Sequence, residues 1–258
     1  MTTGRRARCV AVIAGSGMAG MVDAFEVVER VGFERIVGVG TVTVPGHIGE
    51  VCTCRVDESR LIVALGRRHG YERATESMRR MIEWLSRQGV TELVVTSAVG
   101  GLRSTLVPGE LVLTTDILDL RGAGEHDGYT GGGGGAPGRI TSRPLELDAQ
   151  LSSRLEAAAK STGVPLQRGT LACLSGPTYE TPAEVEYLQR IGADLATMSA
   201  VSEVEIANAR GIPVASIALV TNPGTGIAAS VPGHSDVIEV AARASGSIAR
   251  IIRQLVIS

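Results

Sequence analysis

The chain has 258 residues, enough to bury a substantial core as one large or two ordinary domains. Hydrophobic residues make up 44% and charged residues 20%, and the formal net charge of −2 gives no electrostatic footprint for nucleic acid or an anionic membrane. No stretch approaches the ~20 apolar residues of a membrane span, and the polar, Arg-containing start lacks a signal-peptide core, so a cytoplasmic protein is expected.

Mostly continuous apolar runs predict strands at 9–14, 61–65, 93–96, 111–115, 170–174 and 214–220. Runs of this kind suit a sheet covered on both faces. Helical segments alternate with them. At 72–87, Met78, Met81, Ile82 and Leu85 form an apolar stripe while Arg79, Arg80 and Arg87 stay outside. Further helices are predicted at 148–161, 183–191, 201–210 and 236–255. The expected fold is α/β: a single domain over 1–258, with a central mixed β-sheet and helices on both faces. A Gly-rich loop at about 121–138, with five consecutive glycines at 131–135, interrupts the order and reads as a floppy insertion or a mobile lid. The cysteines (Cys9, Cys52, Cys54, Cys173) lack metal-site spacing. Cys52 and Cys54 face one side of a strand, where a ligand pair is conceivable, but buried thiols are the expectation and no metal is implied.

Several strand ends carry anion-friendly chemistry. The first strand runs into Gly15-Ser16-Gly17 and a helix-like segment, where helix N–H groups and the Ser16 hydroxyl suit an anion. After the strand at 61–65 comes G-R-R-H-G-Y-E, residues 66–72. There Arg67 supplies a planar fork, His69 a second donor and Tyr71 an amphipathic wall; a solvated basic loop is the alternative. T-S-A-V-G-G-L at 96–102 follows another strand, its paired glycines leaving room for a ligand against the backbone. Ser199, in M-S at 198–199, is either a helix N-cap or a hydroxyl donor to the same anion. G-P-T-Y-E-T-P-A-E at 176–184 turns the chain at Gly176-Pro177, then starts a helix with Thr181 as N-cap and Pro182 at its first position. Between those signals stand Tyr179 and Glu180.

Together with P-G-H-I-G at 45–49, G-A-D at 192–194 and T-N at 221–222, these motifs, in this order, resemble the purine nucleoside phosphorylases of the trimeric type, which include the methylthioadenosine phosphorylases. The resemblance covers nearly the whole chain. It implies that Ser16, Arg67, His69, the backbone at Ala98 and Ser199 hold inorganic phosphate, with His47 in a mobile segment nearby. It further implies that Tyr71, the backbone at Met198 and His234 touch the ribose, that Glu180 and Asn222 hold the purine, and that Tyr179 lies against its face. Asn222, Glu180 and His69 are then the catalytic candidates. Phosphate is co-substrate, no other cofactor is implied, and the assembly is a homotrimer.

The chemistry fits these residue types. Cleavage of the glycosidic bond develops an oxocarbenium-like ribose, which a phosphate held beneath the anomeric carbon stabilises and attacks. The departing base gains negative charge, absorbed by an amide such as Asn222, while Glu180 accepts from a ring N–H. Glu paired with Asn implies 6-oxopurines such as inosine and guanosine; Asp at position 222 would suit 6-aminopurines. The chain departs from the family pattern at Ser97 (commonly Asn), Thr197 (commonly Gly) and Ser202 (commonly Pro), and 139–147 holds no aromatic to complete a neighbour's pocket. A 5′-modified nucleoside substrate, hydrolysis in place of phosphorolysis, and a non-catalytic nucleoside-binding protein are the alternatives.

Overall fold

Every predicted apolar run forms a strand in the computed structural model, which describes residues 8–38, 46–68, 75–122, 145–227 and 233–258. Within these residues the strands are β1 (Cys9–Ala14), β2 (Glu26–Gly32), β3 (Glu50–Val56), β4 (Ser59–Leu65), β5 (Glu92–Gly101), β6 (Leu111–Asp119), β7 (Gln167–Cys173), β8 (Leu195–Thr197) and β9 (Val214–Pro223). β2, β3 and β8 were not expected. β2 is an edge strand with exposed Glu26, Glu29 and Arg30, so it shows no apolar run, and its charges guard the open edge. β8 has three residues, too few to set a pattern.

The helices are a 3₁₀ helix at Met18–Ala24, α1 (Phe33–Val37), α2 (Thr75–Arg87), α3 (Ala149–Ser161), α4 (Pro182–Arg190), α5 (Val201–Ala209) and α6 (His234–Ile257). Their ends follow capping chemistry. Asp148 caps α3 by accepting from Leu151 N–H at 2.7 Å. Thr181 and Glu184 close a reciprocal capping box on α4, with Pro182 at the first helical position.

The sheet order is β2-β3-β4-β1-β5-β8-β7-β6-β9, and β9 pairs back onto β5, so the last five strands close into a ring. β4, β1, β5 and β9 run parallel, while β2–β3, β3–β4, β5–β8 and β6–β9 are antiparallel. The sheet is therefore mixed. Alternation along β1 divides the core: Val10, Val12 and Ala14 pack with the 3₁₀ helix, α3 and α6, whereas Cys9, Ala11 and Ile13 pack with α1, α2 and α5. Helices thus cover both faces, as expected. All four cysteines are free and buried, and no helix among the described residues is long and apolar enough to cross a membrane. From residue 123 the Gly-rich loop lies outside the described residues.

Candidate active site

Because β1, β4, β5 and β9 are parallel, their C-terminal ends share one edge of the sheet, the edge where α/β folds place ligands. Gly15-Ser16, Gly66-Arg67, Ala98 and Asn222 come together there. Arg67 anchors the group. It is 2% exposed, and its Nε lies 2.6 Å from Oε1 of Glu203, itself 1% exposed, on α5. That contact falls outside good hydrogen-bond alignment, so charge and proximity hold it. Nη2 donates to the carbonyls of Ile13 (3.1 Å) and Thr96 (2.7 Å), and Nη1 donates to Ser199 Oγ (3.1 Å). The expected fork is therefore spent on the protein itself. Arg67 offers an incoming anion its charge and one remaining Nη1 hydrogen. Burial pushes the guanidinium below its usual range and the Glu203 carboxylate counters it; an arginine stays charged under either influence.

His47 joins two more of the expected phosphate residues. Its Nδ1 donates to the Arg67 carbonyl at 2.8 Å, since a carbonyl can only accept. Nε2 of a neutral ring then accepts the Ser16 hydroxyl at 3.1 Å. Gly66 makes room for this: at φ +116, a Cβ there would lie 2.6 Å from His47 Cβ.

Two expectations about glycine and helix starts need correction. The segment after Gly15-Ser16-Gly17 is a 3₁₀ helix, and three of the N–H groups at its approach are already engaged. Gly15 N–H donates to Thr96 Oγ1, Gly17 N–H to the Gly46 carbonyl and Met18 N–H to the Gly15 carbonyl. Gly15 instead lets two strands approach closely, since a Cβ on it would sit 3.0 Å from Thr96 O and 3.3 Å from Ala98 N. Likewise, the room beside Gly101 is filled from within the chain, while Gly100 faces the Asn222 amide at ordinary contact distance. Cβ atoms there would meet the Asn222 amide at 3.5 Å and Leu106 and Val220 at 3.2 Å.

Ser199 is not a cap. Ala200 occupies the N-cap of α5 at φ 75 without a side-chain bond, a strained conformation for a non-glycine residue. Ser199 N–H lies 3.3 Å from Thr197 Oγ1, which also contacts the Ala98 carbonyl at 3.3 Å. Ser16, His47, Arg67, Ser199, Thr197 and Ala98 therefore form one continuous polar chain.

Among the residues expected to hold the purine, Asn222 is 7% exposed. Its Nδ2 donates to the Pro223 carbonyl at 3.0 Å, which fixes the amide's orientation, and its Oδ1 accepts the Thr221 hydroxyl at 2.9 Å. One N–H of the amide remains for a ligand. Tyr179 is 43% exposed and Glu180 half-buried. Burial pushes the Glu180 carboxyl up, and the nearby Glu184 charge adds to the shift. Burial and the Glu180 charge likewise raise the Tyr179 phenol. No hydrogen bond joins Glu180 to Asn222 among the described residues. Their loops do meet: a Cβ on Gly226, four residues past Asn222, would lie 3.1 Å from Cβ of Pro182, two residues past Glu180.

Met198 is half-buried beside Ser199. His69 and Tyr71 lie outside the described residues, and His234, two residues before the predicted start of the last helix, is the first residue of α6. Sequence reading missed Glu203, Thr96 and Thr221. A signal for Glu203 existed: an acid amid Val201, Val204, Ile206 and Ala207 on a buried helix requires a cation.

Residues 9–257 match the family model described as "Phosphorylase superfamily". The chain is 31% identical over 248 residues to purine nucleoside phosphorylase 1 of Bacillus subtilis, covering 96% of this chain and 91% of that protein. It is 32% identical over 251 residues to the purine nucleoside phosphorylase of Mycobacterium tuberculosis, covering 96% and 88%. The crystal structure of Schistosoma mansoni purine nucleoside phosphorylase in complex with adenosine superposes with a TM-score of 0.81 at 26% identity, over 95% of this chain and 89% of that one. By sequence over nearly its full length and by fold, the chain belongs to the phosphorylase superfamily, within the purine nucleoside phosphorylase family.

Proposed function

We propose that the protein phosphorolyses purine nucleosides, preferring the 6-oxopurines inosine and guanosine, to the free base and (deoxy)ribose 1-phosphate. What carries this reading is a buried Arg67, charge-paired with Glu203 and bonded to Ser199, at the same sheet edge as an Asn222 amide held in one orientation. Arg67 supplies a fixed positive field, and Ser16, His47, Ser199 and the Ala98 backbone complete the phosphate cradle. Phosphate there stabilises the cationic ribose and then attacks the anomeric carbon, forming the new C–O bond as the C–N bond breaks. The free N–H of Asn222 donates to N7 or O6 of the leaving base, where negative charge develops. Glu180 accepts the N1–H, and Tyr179 walls one face of the ring. His69 is assigned to phosphate, and Tyr71, the Met198 backbone and His234 to the ribose, by their place in the family motifs. A cytoplasmic homotrimer is the expected assembly, and sedimentation equilibrium would give three chain masses.

The deciding assay follows hypoxanthine and ribose 1-phosphate from inosine with and without inorganic phosphate. Stoichiometric ribose 1-phosphate, with negligible base release when phosphate is omitted, is expected. Base release at full rate without phosphate would establish hydrolysis instead, and calorimetric binding of inosine without turnover would establish a binding protein.

A further inference from the structure

Outside the phosphate and purine groups, a buried ionic cluster adjoining the site surrounds Arg121, two residues beyond β6. Its side chain is 3% exposed. Nε and Nη2 donate to the two carboxylate oxygens of Asp119 at 2.8 and 2.7 Å, a bidentate fork. Nη1 donates to Ser202 Oγ at 2.7 Å and Nη2 to Glu205 Oε2 at 3.1 Å, both on α5. Neither contact belongs to the substrate groups assigned above.

The location gives the cluster its meaning. Ser202 and Glu205 flank Glu203, the residue that holds Arg67, and they follow Ser199 by three and six positions. Asp119 pairs with Cys173 at the end of β7. Leu120 N–H donates to the Cys173 carbonyl at 2.9 Å, Gly122 N–H to Ser175 Oγ at 3.1 Å, and the Cys173 thiol approaches the Ser199 carbonyl at 3.6 Å. Ser175 immediately precedes the Gly176–Glu180 turn that carries the purine residues. Residues 119–122 therefore touch both the root of the purine turn and the first turns of the helix behind the phosphate residues.

The start of α5 has weak local support: Ala200 is strained and no side chain caps the helix. A tie from outside the helix must fix it. Beside the Arg67–Glu203 contact, Arg121 is such a tie: its fork is fixed on Asp119 while single bonds hold Ser202 and Glu205. We propose that Arg121 is a positioning residue for phosphorolysis, clamping the first turns of α5 so that Ser199 and Glu203 meet Arg67 in the geometry that receives phosphate. The proposal rests on the phosphorolysis assigned above.

The test uses the full chain with Arg121→Met and Arg121→Lys, at a temperature where circular dichroism shows each variant folded. Inorganic phosphate is titrated by calorimetry, and kcat and the KM values for phosphate and inosine are measured separately. Arg121→Met is expected to raise the phosphate Kd and KM about tenfold while moving the inosine KM less than about threefold, and Arg121→Lys to recover part of the loss. A purely structural role would lower the melting temperature yet leave the phosphate Kd of the folded protein unchanged, and that result overturns the proposal. If Arg121→Met does not fold, Ser202→Ala is read with Arg121→Lys: a raised phosphate Kd in both supports the clamp, and unchanged values refute it. Wild-type phosphorolysis with unaltered phosphate affinity in the variants defeats the clamp alone. A wild type that neither binds phosphate nor turns over inosine defeats the assigned function, and the clamp with it.

Discussion

Replacing Glu203 by Gln keeps the shape of the Arg67 partner and removes its charge. At 2.6 Å, the direct attraction within the pair is about 6 kcal/mol at an effective dielectric near 20. Desolvating the two ions costs several kcal/mol each, so the intact pair contributes little net stability. Breaking it is different, because the desolvation of Arg67 has already been incurred and nothing then offsets it. Loss of one partner of a buried pair costs about 3–5 kcal/mol; the amide oxygen preserves some of the contact, which places Glu203→Gln near 3. For a chain of this size that corresponds to a melting temperature roughly 6–12 °C lower in phosphate-free buffer. Inorganic phosphate brings the missing negative charge next to Arg67, so added phosphate should raise the variant's melting temperature more than the wild type's. Scanning calorimetry with and without phosphate measures both effects. A drop of less than 2 °C, or equal phosphate-induced shifts in the two proteins, would refute the idea that Glu203 is the resident counter-charge of the phosphate site.

Three further substitutions probe other parts of the site. Asn222→Asp replaces the one free N–H by an acceptor, so the adenosine-to-inosine ratio of kcat/KM should rise at least about tenfold; an unchanged ratio would exclude the assigned orientation of the amide. Gly66→Ala drives a Cβ against His47 at a positive φ, and should cost about 1–3 kcal/mol of stability and raise the phosphate KM, whereas an unaltered thermal melt would mean the loop relaxes freely. Burial raises the folded Glu180 carboxyl above its unfolded value, so its contribution to stability is complete below the ordinary carboxylate range and is lost as pH rises through the raised value. Glu180→Gln should therefore raise the melting temperature of the ligand-free protein at neutral pH more than at pH 4, while weakening nucleoside binding; a melting temperature that falls at neutral pH would count against this.

The α/β class was legible because strands buried on both faces need continuous apolar runs, and β1, β4, β5, β6, β7 and β9 all have them. Helix α4 was legible to within a residue because Thr181, Pro182 and Glu184 write its start in side-chain chemistry. What escaped depends on partners far away in sequence. β2 is defined by hydrogen bonds to β3 rather than by its own mixed composition. The engagement of the Gly17 and Gly15 N–H groups escaped because their partners, Gly46 and Thr96, lie 29 and 81 residues from them. Glu203 meets Arg67 across 136 residues, and no local pattern encodes such a pair. The strand-end residues could be named from their types; how many of their hydrogen bonds remain for a ligand could be counted only in the fold.

That count separates the two halves of the site. In the half assigned to phosphate, Arg67 is buried and Ser16, His47 and Ser199 are already hydrogen-bonded, so their ordering costs fall on folding. The purine half, with an exposed Tyr179 and a half-buried Glu180, must be desolvated when the base arrives. On the proposed function a 6-oxopurine offsets that cost, its N1–H donating to the Glu180 carboxylate. Adenine presents a lone pair at N1 and leaves the carboxylate facing an acceptor, a mismatch that costs a few kcal/mol when buried. Protonating Glu180 turns it into a donor and removes the mismatch, and burial already places that protonation above the usual carboxylate range. The adenosine-to-inosine ratio of kcat/KM should therefore climb as pH falls through the Glu180 titration. In Glu180→Gln, whose amide both donates and accepts, the ratio should stay flat. Parallel pH profiles for the two nucleosides in the wild type would show that Glu180 does not read N1.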